Sequence, residues 1–398
     1  MEVTIEKLDN FGRGITYIND KIVFVENALP EEEVEIEIIN DKKKYSEAKV
    51  LNIIKKSKDR IKPLCPYSNE CGGCCLNHLN YSKENEFKYT KVKELVKKYL
   101  NKDIEVREIS YSQENAYRNK IVLHGKNKII GQYKKHSNEI IPINKCLLVN
   151  DKINEIIGLL KEEKVEEVTI KTSNDLTNTL VDIKGAITNQ DKLLSAVDVL
   201  IVNNKLLSTN KSIISPINDK KYYVSAKSFF QVNRFLTSSL YDEVRNIVKK
   251  IIPNKVLDLY CGTGTIGIYI SDYCKEIIGI DYNKSNIDDA NKNIELNKTN
   301  NIKFICAKVE NRIEDFKDID LIIVDPPRSG LDAHTREILK KLNSKTIIYV
   351  SCDIMTLMRD LKDLNTTYDI NYIKPFNMFP RTYHCESIAV LERIKWYE

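Results

Sequence analysis

Over residues 1–57 the apolar positions fall in runs short enough for strands: VTIEKL, GITYI, KIVFVE, EVEIEII and YSEAKVLNII. Between them stand Asp9-Asn10, Asn19-Asp20, Leu29-Pro30 and Asn40-Asp41, residue types that turn the chain or stop strand pairing. Five strands at this spacing predict a small β-barrel. Residues 58–220 read as a mixed α+β region. Phe87, Val92, Leu95, Val96 and Tyr99 recur near helical spacing and predict an amphipathic helix over residues 83–100, while KIVLHG and KIIGQY read as strands. Over residues 221–398 the period alternates. The apolar runs VLDLY, EIIGID, IKFICA, DLIIVD and TIIYVS are separated by helical stretches, and two later strands lie near NYIKPF and SIAVLER. That alternation predicts a doubly wound α/β domain with a parallel sheet, whose ligands sit at the carboxyl ends of the strands.

Composition narrows the class. No apolar run approaches the roughly 18 residues of a membrane span, and the opening MEVTIEKLDNFGRG lacks the apolar stretch of an export signal. A soluble, cytoplasmic protein with no membrane partner is expected. Net charge is +5, from 62 basic and 57 acidic residues, which neither requires nor excludes nucleic acid, because a local basic face decides that. Lys42, Lys43 and Lys44 place charge on one turn, as ordinary solvated residues also would. In a reducing cytosol the ten cysteines do not suggest disulfides. Four of them, Cys65, Cys71, Cys74 and Cys75, fall within eleven positions. Clustered thiols with one remote partner suit zinc or an iron–sulfur cluster, and ligand count does not separate the two.

Candidate chemistry gathers at the strand ends of the last domain. Asp258-Leu259-Tyr260 is followed by Cys261-Gly262-Thr263-Gly264-Thr265-Ile266-Gly267, a G-x-G-x-x-G turn that lets backbone approach a ligand beside a helix N-terminus. Dinucleotide-binding enzymes share that turn. Asp281 closes the next strand and suits a ribose hydroxyl pair. Asp325-Pro326-Pro327-Arg328 ends the fourth strand in an open loop, because proline stops a helix; such a loop shifts the reading from NAD toward S-adenosylmethionine. Cys352 ends the fifth strand, as either a core filler or a nucleophile. Uracil gives such a thiol a purpose. Addition at the electrophilic C6 makes C5 nucleophilic, C5 takes a methyl group, and a base must then remove the C5 proton. Residues 378–386, MFPRTYHCE, offer Glu386 as that base, with His384 as its competitor.

Together these residues resemble the RNA uracil-5-methyltransferases that carry an N-terminal TRAM domain and a [4Fe-4S] cluster, typified by bacterial 23S rRNA 5-methyluridine methyltransferases. GRGITYINDKIVFVENALPEEEVEI resembles the TRAM barrel, Cys65-x5-Cys71-Gly-Gly-Cys74 the cluster motif, SFFQVN and DLYCGTGTIG the cofactor motifs, and DPPR, VSCD and MFPRTYHCES the active-site motifs. The resemblance spans the chain. It implies a class I methyltransferase fold with an OB-like TRAM barrel and a central iron–sulfur α+β domain. It assigns cofactor contacts to Gln231, Tyr260, Asp281 and Asp325, the nucleophile to Cys352 and the base to Glu386. The cluster ligands it implies are Cys65, Cys71, Cys74 and the distant Cys146, with Cys75 an alternative to Cys74. It also implies that the 83–100 helix packs on the catalytic domain and that Arg118, in YRNK, contacts RNA. The substrate implied is 23S rRNA, with tRNA as the alternative. Asp353-Ile354 departs from the Asn-Pro or Asp-Pro that commonly follows the nucleophile, which leaves the rigidity of that loop open.

Overall fold

The computed structural model describes residues 1–100 and 102–394. At the N-terminus six strands form one sheet: β1 (Glu2–Thr4), β2 (Lys7–Leu8), β3 (Gly14–Ile18), β4 (Lys21–Glu26), β5 (Glu33–Asp41) and β6 (Tyr45–Lys55), in the order β1-β5-β6-β4-β3-β2. The run VTIEKL, expected as one strand, is two. At Ile5 the chain changes partner: the Ile5 N–H donates to Glu32 O (2.9 Å) and the Glu6 N–H to Ile15 O (2.9 Å). One short segment therefore pairs with both edges of the sheet and closes it. Ile5 is buried at the junction with Val23, Val25, Val34 and Ile36. The lysine triplet sits exposed on the β5–β6 turn.

Helix α1 (Tyr81–Leu100) begins two residues earlier than its apolar spacing suggested. Its Val92, Leu95, Val96 and Leu100 share a core with Leu357, Leu361 and Tyr368 near the C-terminus, and β7 (Glu105–Val106) then adds to the far edge of the C-terminal sheet. The chain next builds a seven-stranded sheet from β8 (Lys120–Lys126), β9 (Ile129–Tyr133), β10 (Ile140–Pro142), β11 (Lys164–Thr172), β12 (Thr179–Ala186), β13 (Val199–Val202) and β14 (Lys205–Leu206). Helices α2 (Asp151–Leu159) and α3 (Gln190–Ala196) pack with it. The hairpin β15 (Ile213–Ile217) and β16 (Lys220–Val224) buries Ile213, Tyr222 and Val224 in the core of the C-terminal body. The border expected between residues 220 and 221 runs through it.

The C-terminal body is α4 (Thr237–Ile251), β17 (Lys255–Leu259), α5 (Thr265–Ile270), β18 (Glu276–Asp281), α6 (Lys284–Asn297), β19 (Ile302–Cys306), β20 (Leu321–Val324), α7 (Ala333–Lys341), β21 (Thr346–Ser351), α8 (Ile354–Leu364), β22 (Tyr368–Phe376) and β23 (Glu386–Arg393). Its sheet runs β19-β18-β17-β20-β21-β23-β22-β7. The five strands from β17 to β21 are parallel, and β23 returns antiparallel between β21 and β22. Parallel strands covered by helices on both faces are buried throughout, which is why β20 and β21 read as unbroken apolar runs. The strand order reverses at β17 and β20, the point where such sheets open a crevice. Among the described residues no helix is long and apolar enough to cross a membrane.

Candidate active site

The crevice is built by a turn that bends away from its own helix. Tyr260, Gly262 and Gly264 follow β17 with φ of +60°, +55° and +74°, the left-handed region that glycine enters without steric cost. A Cβ at Gly264 would stand 2.2 Å from the Phe304 ring, so only glycine fits; one at Gly262 would meet nothing within 4 Å, so that face of the turn is open to a ligand. Beneath it Asp258 is fully buried. Its Oδ2 accepts the Gly267 N–H (3.1 Å), and its Oδ1 is buried without a partner. Asp281 accepts the Gly262 N–H (3.1 Å) and the Asn283 N–H (2.8 Å), tying the end of β18 to the turn.

Gln231, Tyr260, Asp281, Asp325, Cys352 and Glu386 all line the resulting cavity of about 670 Å3. Asp258, Phe229, Arg328 and Phe379 line it too, and the sequence reading gave them no role. All four stand inside the motifs quoted above, so the available signal was position within the motif. The glycine turn, the orphaned Asp258 oxygen and the carboxylates fit a cationic, nucleoside-bearing cofactor.

The β21–β23 register brings Cys352 and Glu386 together. Ser351 pairs with Ser387, so Cys352 and Glu386 are the next residues outward on adjacent antiparallel strands, and Phe376 holds Glu386 from the other side. Glu386 is 2% exposed. Burial, then the charge of Asp325, pushes its carboxyl well above the usual range, with Arg328 opposing. Burial raises Asp325 to about 7. The Cys352 thiol is pushed up to about 12 by burial, then by Glu386 and Asp325, while Arg328 favours the thiolate. His384 does not line the cavity; burial and then Arg328, Lys91 and Lys88 lower it to about 4, leaving it neutral near pH 7. Asp353 accepts hydrogen bonds from the N–H groups of Met355 (2.9 Å) and Thr356 (3.0 Å), an N-cap that fixes the backbone after Cys352 without a proline.

Cys65, Cys71, Cys74 and Cys146 line a second cavity, of about 330 Å3. Burial, and then Cys146, Cys71 and Cys65, raise the Cys74 thiol. Cys75 points elsewhere, packing against Leu29, Leu76 and Leu79. Among the described residues no three His, Cys, Asp or Glu side chains are arranged to hold a single metal ion. Arg118, expected to face RNA, is half-buried at this cavity, and its Nε lacks a partner.

A family model for tRNA (uracil-5-)-methyltransferases matches residues 205–394, and one for the TRAM domain matches residues 1–51. An uncharacterized RNA methyltransferase of Clostridium acetobutylicum is 34% identical, with the match covering 99% of this chain and 97% of the relative. One of Aquifex aeolicus is 33% identical, with 98% of each covered. The structure of Pyrococcus abyssi tRNA (uracil-54, C5)-methyltransferase in complex with S-adenosyl-L-homocysteine matches with a TM-score of 0.82 at 26% identity, covering 98% of this chain and 100% of that one. The chain belongs to the tRNA (uracil-5-)-methyltransferase family and is an S-adenosylmethionine-dependent RNA methyltransferase with an N-terminal TRAM domain.

Proposed function

We propose that this enzyme forms 5-methyluridine in RNA, with Cys352 as nucleophile and Glu386 as base. The observation that carries the reading is their placement side by side across the β21–β23 register, at the mouth of the glycine turn. Gln231, Tyr260, Asp281 and Asp325 would hold S-adenosylmethionine, which supplies the methyl group. The target uridine must leave its stack to enter the cavity, at a cost of a few kcal/mol that is least in a loop or bulge. The Cys352 sulfur bonds to uracil C6 as the C5–C6 electrons move toward the C4 oxygen. As that electron pair returns, C5 bonds to the methyl carbon while the methyl–sulfonium bond breaks, its electrons staying on sulfur so that neutral S-adenosylhomocysteine leaves. Glu386 accepts the C5 proton, the C5–C6 double bond re-forms, and the Cys352 sulfur leaves with its electron pair. Arg328, facing both groups, favours the thiolate that starts the cycle and the carboxylate that ends it.

The second cavity supports a [4Fe-4S] cluster on Cys65, Cys71, Cys74 and Cys146. Four thiols around one space suit zinc or an iron–sulfur cluster alike; the likeness of Cys65-x5-Cys71-Gly-Gly-Cys74 to the cluster motif favours iron–sulfur. Its part is structural or RNA-orienting, since the methylation moves no electron. Iron and sulfide content of anaerobically purified protein tests it, and stoichiometric zinc instead would overturn it.

For substrate, the TRAM barrel joined to a cysteine cluster favours 23S rRNA, met in the cytoplasm. The full-length likeness to the archaeal tRNA enzyme favours a tRNA uridine as the second reading. Methyl transfer from labelled cofactor to unmodified 23S rRNA and to tRNA, with nucleosides identified after digestion, decides. 5-Methyluridine in rRNA alone is expected, its appearance in tRNA alone would move the substrate, and its absence from both would overturn the function.

A further inference from the structure

The loop that ends in Glu386 carries a residue in a conformation its own chemistry disfavours. Arg381 lies in the middle of residues 377–385, between β22 and β23, with φ +68°, and a side chain in the left-handed region is retained only where the surroundings hold it. It is 6% exposed. Its N–H donates to the two carboxylate oxygens of Glu84 (3.0 and 3.1 Å). Its carbonyl accepts the N–H groups of Cys75 (3.0 Å) and Leu76 (3.1 Å). Its guanidinium donates to Leu79 O (2.7 Å) and Leu76 O (3.4 Å), and pairs with Glu114. Helix α1 grips the same loop at other points. Lys88, fully buried, donates to Glu84 (2.8 Å), to Asn377 Oδ1 (2.6 Å) and to Phe379 O (3.0 Å), and Lys91 donates to Tyr383 O (2.6 Å).

The loop is thus tied down at residues 377, 379, 381 and 383, and the strand that begins with Glu386 follows. Arg381 also borders the thiol-lined cavity, so it stands between the cysteine segment and the base. We propose that Arg381 is a positioning residue, which sets the Glu386 carboxylate against C5 by fastening this loop to α1 and to residues 75–79; the inference rests on the base role proposed for Glu386. A guanidinium is suited to the task because its fork reaches a carboxylate and two carbonyls in different directions, whereas a lysine presents one point charge.

The test compares wild type with Arg381→Lys on RNA carrying uridine and on RNA carrying 5-fluorouridine at the target. With fluorine at C5 there is no proton to remove, so the adduct to Cys352 persists whatever Glu386 does, and trapping reports the nucleophile and cofactor alone. For Arg381→Lys, trapping and the KM for S-adenosylmethionine should stay within about twofold of wild type while kcat on uridine RNA falls about 100-fold. A protein–RNA adduct that survives denaturation should accumulate during that slow turnover. Glu84→Gln, which weakens the acceptor of the Arg381 N–H, should give the same signature and replaces Arg381→Lys if that variant does not fold. Parallel loss of trapping and turnover, or unchanged kcat, would overturn the positioning role. Failure of wild type to trap fluorinated RNA would instead overturn the function on which it rests.

Discussion

At the scale of single residues the site holds more acid than a neutral cleft would. Burial, then Asp325, then Asp281, hold Asp258 at about 8, with the Gly267 N–H opposing, and Asp325 stands at about 7. Both carboxyls bind protons that a cationic cofactor must displace, because a nearby positive charge favours their ionised forms. Protons are therefore released when S-adenosylmethionine binds, and release becomes easier as pH rises. Affinity measured by calorimetry should increase between about pH 6 and pH 8 and level off above. S-Adenosylhomocysteine, without the sulfonium charge, should show a shallower slope; equal slopes would separate the effect from these carboxyls. The thiol adds a second dependence in the same direction. With Cys352 at about 12, the thiolate fraction grows with pH across the neutral range, so the rate of trapping 5-fluorouridine RNA should rise from pH 6.5 to about 9. Cys352→Ala should abolish trapping and turnover yet bind cofactor with wild-type affinity, and equal loss of binding would remove its assignment as nucleophile.

At the scale of elements, the two glycines of the β17–α5 turn make opposite predictions. An alanine at Gly264 suffers a left-handed backbone, costing roughly 1–2 kcal/mol, together with a clash against Phe304; Tm should fall by several degrees. An alanine at Gly262 suffers the backbone cost alone but projects a methyl into the cofactor's space, so cofactor affinity should drop far more than Tm. Matching losses in the two variants would refute the distinction. This turn was legible because chemistry and geometry share the same residues. So were β17 to β21, whose apolar runs are long and whose punctuation is clear. Helix α1 was legible only in part. Its apolar stripe announced a helix, but Glu84, Asn85, Lys88 and Lys91 are buried as well, and charges at helical spacing read as a solvated face. Only the partner loop, almost 300 residues away, shows why they are inside. The first barrel strand was misread because VTIEKL contains no turn residue to mark the change of hydrogen-bond partner at Ile5.

At the scale of the whole molecule, the barrel and the catalytic body meet beside the cavity and form one surface. The β2–β3 turn is fixed from within by Asp9, which accepts the N–H groups of Phe11 and Arg13 at 2.8 Å each. Lys91 joins it to the loop between β22 and β23, donating to Asn10 O (3.3 Å) as well as to Tyr383 O. Phe11 then meets Tyr383 edge-on at 5.3 Å, Tyr383 lies 4.2 Å from His384, and His384 lies 6.1 Å from Phe379, which lines the cavity. Phe11 remains 51% exposed, with the Arg13 guanidinium 5.6 Å from its ring centroid, so under the proposed function its exposed surface would be available to stack on a base of the bound RNA. Base–aromatic stacking is worth about 1–3 kcal/mol. Phe11→Ala should therefore raise the KM for RNA by about fivefold or more, with kcat at saturating RNA and affinity for S-adenosylmethionine unchanged. A half-exposed ring contributes little to the barrel core, which lies among Ile5, Val23 and Ile36, so Tm should hardly move. An unchanged KM would mean that RNA reaches Cys352 without crossing the barrel loop, and the TRAM domain would then have to bind RNA through another face.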